Sequence, residues 1–139
     1  MTTQELKLTE IGALKLKALS FPKSLHDARQ RAFTAATLAK EIEGEIKDAE
    51  TEELLTASIE QGADGKAKYT NDMQRKAAAA KALAESPVHR ERLKRLAAAE
   101  SDALNAKLDV QRIEDEHRSY QDCVRLVLGE VELLTAWTR

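Results

Sequence analysis

LAAAESDALNAKLDVQRIEDEHRSYQDCVRLVLGEVELL, residues 96–134, decides the fold. An apolar or small residue recurs in alternating steps of three and four: Leu96, Ala99, Ala103, Ala106, Val110, Ile113, His117, Tyr120, Val124, Val127, Val131, Leu134. Only His117 breaks the pattern. A second run, Phe21, Leu25, Ala28, Ala32, Ala35, Ala39, Ile42, Ile46 and Ala49, keeps the same rhythm. A mean spacing of about 3.5 residues falls just short of two full helical turns per heptad, so such stripes stay in register only by winding around a partner. The pattern predicts coiled-coil helices, an architecture that serves many functions.

Working outward, the composition fits long helices. The chain has 139 residues, is 33% charged and only 4% aromatic, and its apolar residues are placed rather than scattered. A single cysteine, Cys123, excludes an internal disulfide framework. No apolar run approaches the ~20 residues needed to span a bilayer. Lys7, Lys15 and Lys17 interrupt the early leucines, so no signal-peptide core is evident. The expectation is an intracellular, cytoplasmic protein without membrane contact.

Pro22, followed by Lys23 and Ser24, predicts a sharp entry into a long helix over 23–58, preceded by a short amphipathic segment over 1–20 built on Leu8, Ile11, Leu14 and Ala18. The stripe loses phase after Ala49, where Glu53 falls on the seam, and Gln61-Gly62-Ala63-Asp64-Gly65 predicts a reversal within a loop over 59–70. Asn71 with Gln74 three residues on is a cap signature that opens a short helix over 71–85. Ser86-Pro87 repeats the signal and starts the longest helix, over 87–136. The 139 residues read as one helical domain.

The seams are Ala-rich early in both long helices and bulkier later, so an antiparallel pairing sets small side chains against large ones. In that register the N-terminal segment covers the end of the last helix. The fold class is therefore all-α: an antiparallel coiled-coil helical hairpin with a short tip helix and an N-terminal amphipathic helix. Because a seam alanine buries far less than a leucine, whose full burial contributes about 2–3 kcal/mol, the hairpin should self-associate into an oligomeric bundle. Leu93, Ala97, Leu104 and Leu108 form a second apolar stripe for that purpose.

Charge gives the best functional clue. Residues 66–95 hold Lys66, Lys68, Arg75, Lys76, Lys81, Arg90, Arg92, Lys94 and Arg95 against only Asp72, Glu85 and Glu91, a net of +6, while 23–60 and 96–139 each come to −4. Such a cluster near two helix N-termini suits phosphates, and Lys66, Lys68, Arg75, Lys76, Arg90, Arg92, Lys94 and Arg95 are the candidate nucleic-acid or anion contacts. The competing reading is that acidic flanks of a neighbouring subunit satisfy the cluster, or that it keeps the tip soluble. Tyr69 is the one aromatic there, so no multi-base stacking surface is evident.

Other motifs read as structural. Gly62-Ala-Asp-Gly65-Lys66 is too short for a phosphate loop and follows no strand, and it reads as a turn. Glu114 and His117 make one Glu-x-x-His step, whereas di-iron bundles need two such steps and two more carboxylates; His26 and His89 have Lys23 and Ser86 at the matching position. His117 is expected to be a polar seam residue that fixes register or the geometry of a partner carboxylate. Cys123, beside Val124, is expected to be a buried structural thiol. Glu41, Glu43, Glu45, Glu50, Glu52 and Glu53 read as a solvated face, and Trp137 either packs on the N-terminal helix or anchors an interface. No paired acid and base mark a catalytic centre, and no metal, cofactor or small-molecule substrate is expected.

The run Gly65-Lys-Ala-Lys-Tyr69-Thr-Asn71-Asp-Met-Gln-Arg75-Lys-Ala77, followed by Leu83, Pro87 and a long charged helix, resembles a group of small coiled-coil proteins of bacteriophages and their bacterial hosts. The resemblance covers roughly residues 60–135. Such proteins tend to be encoded among recombination and replication functions, which implies contact with nucleic acid or a DNA-bound protein. It also implies a hinge in which Asn71 caps and Arg75 reaches back to the loop near Tyr69. A purely structural role, as a virion, scaffold or filament component, is the alternative.

Overall fold

The structure, a computed structural model, describes residues 2–138. It consists of helices α1 (Thr3–Ile59), α2 (Asp72–Glu85) and α3 (Pro87–Trp137). Among the described residues the one departure toward sheet is an isolated antiparallel bridge between Gln61 and Ala67. The fold is an all-α helical hairpin whose chain divides into two compact units. One unites residues up to Phe33 with those from Leu104 onward, and the other is Thr34–Ala103.

In the first unit the early part of α1 meets the late part of α3 antiparallel. Phe21, Ala28 and Ile113 form the buried cluster, with Leu25, Val110 and Tyr120 packed against it. The Phe21 ring stands edge-on to His117 at 4.9 Å and tilted to Tyr120 at 5.4 Å, separations at which aromatic pairs attract. Arg29 Nη2 donates to Glu114 Oε1 at 3.0 Å. Ala28, 1% exposed, shares this cluster with Ile113 and bears out the pairing of small with large. His117 is half-buried on the seam, its Nε2 3.0 Å from the Gln121 amide nitrogen.

In the second unit Ile42, Ile46 and Ala99 are buried together, flanked by Ala39 and Leu96. Small again meets large. Nearer the reversal α2 lies along the last turns of α1: Ala57 and Ala79 are both buried, and a groove between the helices is lined by Thr56, Glu60, Tyr69 and Ala82. Every seam residue named from the sequence is buried or half-buried except Leu134.

The entry at Pro22 is not found. α1 is one helix of 57 residues with Pro22 inside it, so the segment over 1–20 and the helix over 23–58 are a single element. Proline deprives the Ala18 carbonyl of its usual donor and costs about 3 kcal/mol in a helix interior. The helix nevertheless continues, because Ile11, Leu14, Ala18, Phe21, Leu25 and Ala28 form one unbroken stripe, buried or half-buried throughout, while Pro22 sits on the exposed side. A bend there would take Ile11 and Ala18 off α3. Ala18 and Lys15 of the same straight run of α1 line a groove against His117 and Val124, and Val127 and Val131 beyond them are half-buried, whereas the last residues of α3, Leu133, Leu134 and Trp137, are exposed rather than covered.

Candidate functional site

The basic segment is built from the loop upward, all of it in the unit Thr34–Ala103. The reversal is a tight turn in which Gly65 N donates to Gly62 O at 3.0 Å and Gly62 N to Lys66 O at 2.8 Å. Gly65 has φ +74°, a left-handed conformation that favours glycine. Lys66 N donates to Asp64 Oδ1 and Lys68 N to Glu60 O. The backbone amides of 62, 65, 66 and 68 are thus committed within the turn. A phosphate loop leaves such amides open, so this is a reversal and no cradle.

Asn71 caps α2 as the sequence predicts, its Oδ1 accepting from Gln74 N at 2.8 Å, while Gln74 Oε1 accepts from Thr70 N. Arg75 does not reach back to the loop. Its Nη1 pairs with Asp72 Oδ1 at 3.0 Å, one helical turn away, and its Nε is buried without a partner. Tyr69 is half-buried and lines the groove between α1 and α2, with Lys68 Nζ 5.5 Å from its ring centre. α3 begins with Ser86 Oγ accepting from His89 N at 3.3 Å. Both helix N-termini in this region therefore carry side-chain caps.

The cations separate into two groups. Lys68 Nζ holds Glu60 at 2.9 Å, and that hydrogen bond is the main cause that raises the lysine above its ordinary range. Arg95 reaches Glu45 at 3.6 Å, and Lys81 lies 4.0 Å from Glu85. The Glu60 and Glu45 pairs make the acidic flank of α1 the neighbour of the basic arm, while Lys81–Glu85 lies within α2, so part of the charge is met within the chain and needs no second subunit. Lys66, Lys76, Arg92 and Lys94 have no carboxylate partner among the described residues, and Arg90 contacts only the Glu85 carbonyl oxygen, at 3.5 Å. Lys76, Arg90 and Lys94 are exposed, and Arg92 is half-buried. Arg90 and Lys94, one turn apart, share a face of α3.

Three placements differ from sequence expectation or go beyond it. Cys123 is exposed rather than buried, because the position before seam residue Val124 is rotated about 100° off the seam. Trp137 is 88% exposed and does not pack on α1. His89 is buried, with an unpartnered Nδ1 at the start of α3. Extending the three-and-four alternation upstream from Leu96 lands on Arg92 and His89, a signal that sequence reasoning left unused. The second stripe, Leu93, Ala97, Leu104 and Leu108, is exposed.

Among the described residues no three His, Cys, Asp or Glu side chains cluster as metal ligands would, and Glu114 is occupied by Arg29. No described helix is long and apolar enough to cross a membrane. Comparison of the chain with family models, with curated proteins and with solved structures gives no match in any of the three.

Proposed function

We propose that this protein is a non-enzymatic coiled-coil interaction protein whose returning arm, residues 66–95, contacts nucleic acid, with a DNA-bound protein as the alternative occupant. The observation that carries the reading is the set of exposed cations, Lys76, Arg90 and Lys94 foremost, that the acidic flank of α1 leaves unneutralised. With Tyr69 turned into the α1–α2 groove and no other aromatic in the arm, the contact is to the phosphate backbone rather than to stacked bases. The resemblance to phage coiled-coil proteins of recombination and replication operons agrees with that role.

Fluorescence anisotropy with a labelled DNA duplex over a series of salt concentrations tests it. Binding should weaken steeply with salt, and Lys76→Ala, Arg90→Ala and Lys94→Ala together should lower the log–log salt slope by about 2–3, roughly one per phosphate contact. Lack of binding at low salt, or a slope untouched by the triple change, refutes the reading. The structural-assembly alternative has its own support in the exposed leucines of the other unit.

A further inference from the structure

In the unit made of residues up to Phe33 and from Leu104 onward, large apolar side chains stand outside on both helices. Among those on α1 are Leu8, Leu16 and Leu19, at 55%, 73% and 76% exposure, and among those on α3 are Leu126, Leu133 and Trp137, at 70%, 64% and 88%. With about 100° per residue, each trio falls within roughly a third of its helix circumference and off the seam, Leu8 and Trp137 lying nearest to it at about 60°; Leu8, read from the sequence as part of the inward face, is thus turned out. Each stripe also carries charge of one sign. Lys15 and Lys23 interrupt the α1 stripe, while Asp122 and Glu130 interrupt the α3 stripe.

We propose that a second copy of this chain covers these stripes, the outer face of α1 in one copy packing antiparallel on the outer face of α3 in the next. The match is one of register. The two lysines are eight residues apart and so are the two acids. Setting Lys15 opposite Glu130 and Lys23 opposite Asp122 brings Leu19 opposite Leu126, Gly12 opposite Leu133 and Leu8 opposite Trp137. Gly12 has nothing within 4 Å of where a Cβ would stand, so a leucine from a facing helix has room there. A parallel arrangement about the same leucine pair also keeps two ion pairs, Lys15 with Asp122 and Lys23 with Glu130, but it sets Gly12 against Ser119 and Leu8 against Asp115, so the apolar contacts favour the antiparallel register. Lys15 meets Glu130 in the antiparallel register and Asp122 in the parallel one, so a charge exchange at 15 and 130 tells the two apart.

The α1 stripe lies on the flank of positions that follow the seam, and the α3 stripe on the flank of positions that precede it. In an antiparallel pair those are opposite sides. One copy therefore offers one half of the contact on each side, a heterologous interface that either closes into a ring or propagates. A tryptophan at 88% exposure among leucines is the type of anchor that interfaces bury. The basic arm takes no part in this contact, so the proposal stands or falls independently of nucleic-acid binding.

Sedimentation velocity over a concentration series, with emission from Trp137 as the only tryptophan, tests it on the full chain. Mass should rise with concentration while the emission moves to shorter wavelength. Leu19→Glu alone and Leu126→Glu alone should each be monomeric with unchanged helical circular dichroism, since both side chains are solvent-facing in the single chain. An equimolar mixture of the two should stop at a dimer, because one intact α1 face then meets one intact α3 face. Lys15→Glu should weaken association on the order of tenfold, and Lys15→Glu with Glu130→Lys should restore it. A wild-type monomer throughout, full association by Leu19→Glu, a mixture that stays monomeric, or a charge exchange that restores nothing overturns the proposal.

Discussion

The unit closed by the loop and the unit holding both helix ends share one seam pattern yet differ in what they show to water. The loop-closed unit places Lys76, Arg90 and Lys94 outside, along with exposed Ile59 and Met73, and ties its arms with Glu45–Arg95 and Glu60–Lys68. The other unit gathers Phe21, Tyr120 and His117 inside and leaves Leu16, Leu19, Leu126, Leu133 and Trp137 outside. A repeated three-and-four stripe specifies only what the two arms bury against each other. The residues off the stripe decide which of the two units can offer cations to an ionic partner.

The largest effect that can break the comparison lies in the cores. Phe21 is 6% exposed and in contact with rings on two sides, so Phe21→Ala should cost about 3–4 kcal/mol, the upper part of the range for buried apolar truncation. Ile46→Ala in the other unit, next to Ile42 and Ala99, should cost about 2–3 kcal/mol. Urea unfolding followed by far-UV circular dichroism at concentrations that keep the chain monomeric measures both. Leu19→Ala under the same conditions should lie within about 0.5 kcal/mol of wild type, as expected of a solvent-facing position. A Leu19→Ala loss as large as that of Phe21→Ala would mean that the outward stripe is part of the single-chain core.

Much of this was legible because helix periodicity is a local property. The seam from Leu96 to Val131, the left-handed glycine at 65 and the Asn71 cap all follow from spacing and from residue chemistry within a few positions. Pro22 misled because its local preference, a helix start, was outweighed by the tertiary packing of Ile11, Ala18 and Phe21 on α3, although the stripe's unchanged phase across 18–25 carried the information. The pairing of the basic arm with Glu45 and Glu60 depends on the register between two helices. No count of charge along one strand of sequence contains it. Cys123 required knowing which side of Val124 faces α1, a rotation of one residue.

A smaller change sharpens the account of the loop-closed unit. Among the described residues Asn71 is the only side chain that meets the Gln74 amide at the start of α2, so Asn71→Ala should cost about 1 kcal/mol. The loss should be concentrated in α2 and the turn, and hydrogen exchange should show faster exchange at Gln74 and Arg75 with protection near Ile42 and Ala99 retained. Equal loosening at Ile42 would indicate that the turn and the α1–α3 core of that unit open together.

The smallest effect concerns the solvated acidic face of α1. Glu43 is held below the usual carboxylate range first by its hydrogen bond to Lys47, 2.9 Å away, and Lys47 is raised by the same bond. A carboxyl whose pKa is depressed in the folded chain adds stability above its unfolded pKa, near 4.5, and that contribution disappears as pH falls through the lowered folded value. Glu43→Gln should therefore be slightly less stable than wild type at neutral pH, with the two converging in acid. The lysine side of the pair gives the opposite window, persisting through neutral pH and fading only as pH rises through its raised value. Both side chains are well over a third exposed, so salt should shrink the neutral-pH difference as well. Paired pH titrations of thermal unfolding, with and without added salt, would show the convergence. A difference that persists in acid would assign Glu43 a role other than its pairing with Lys47.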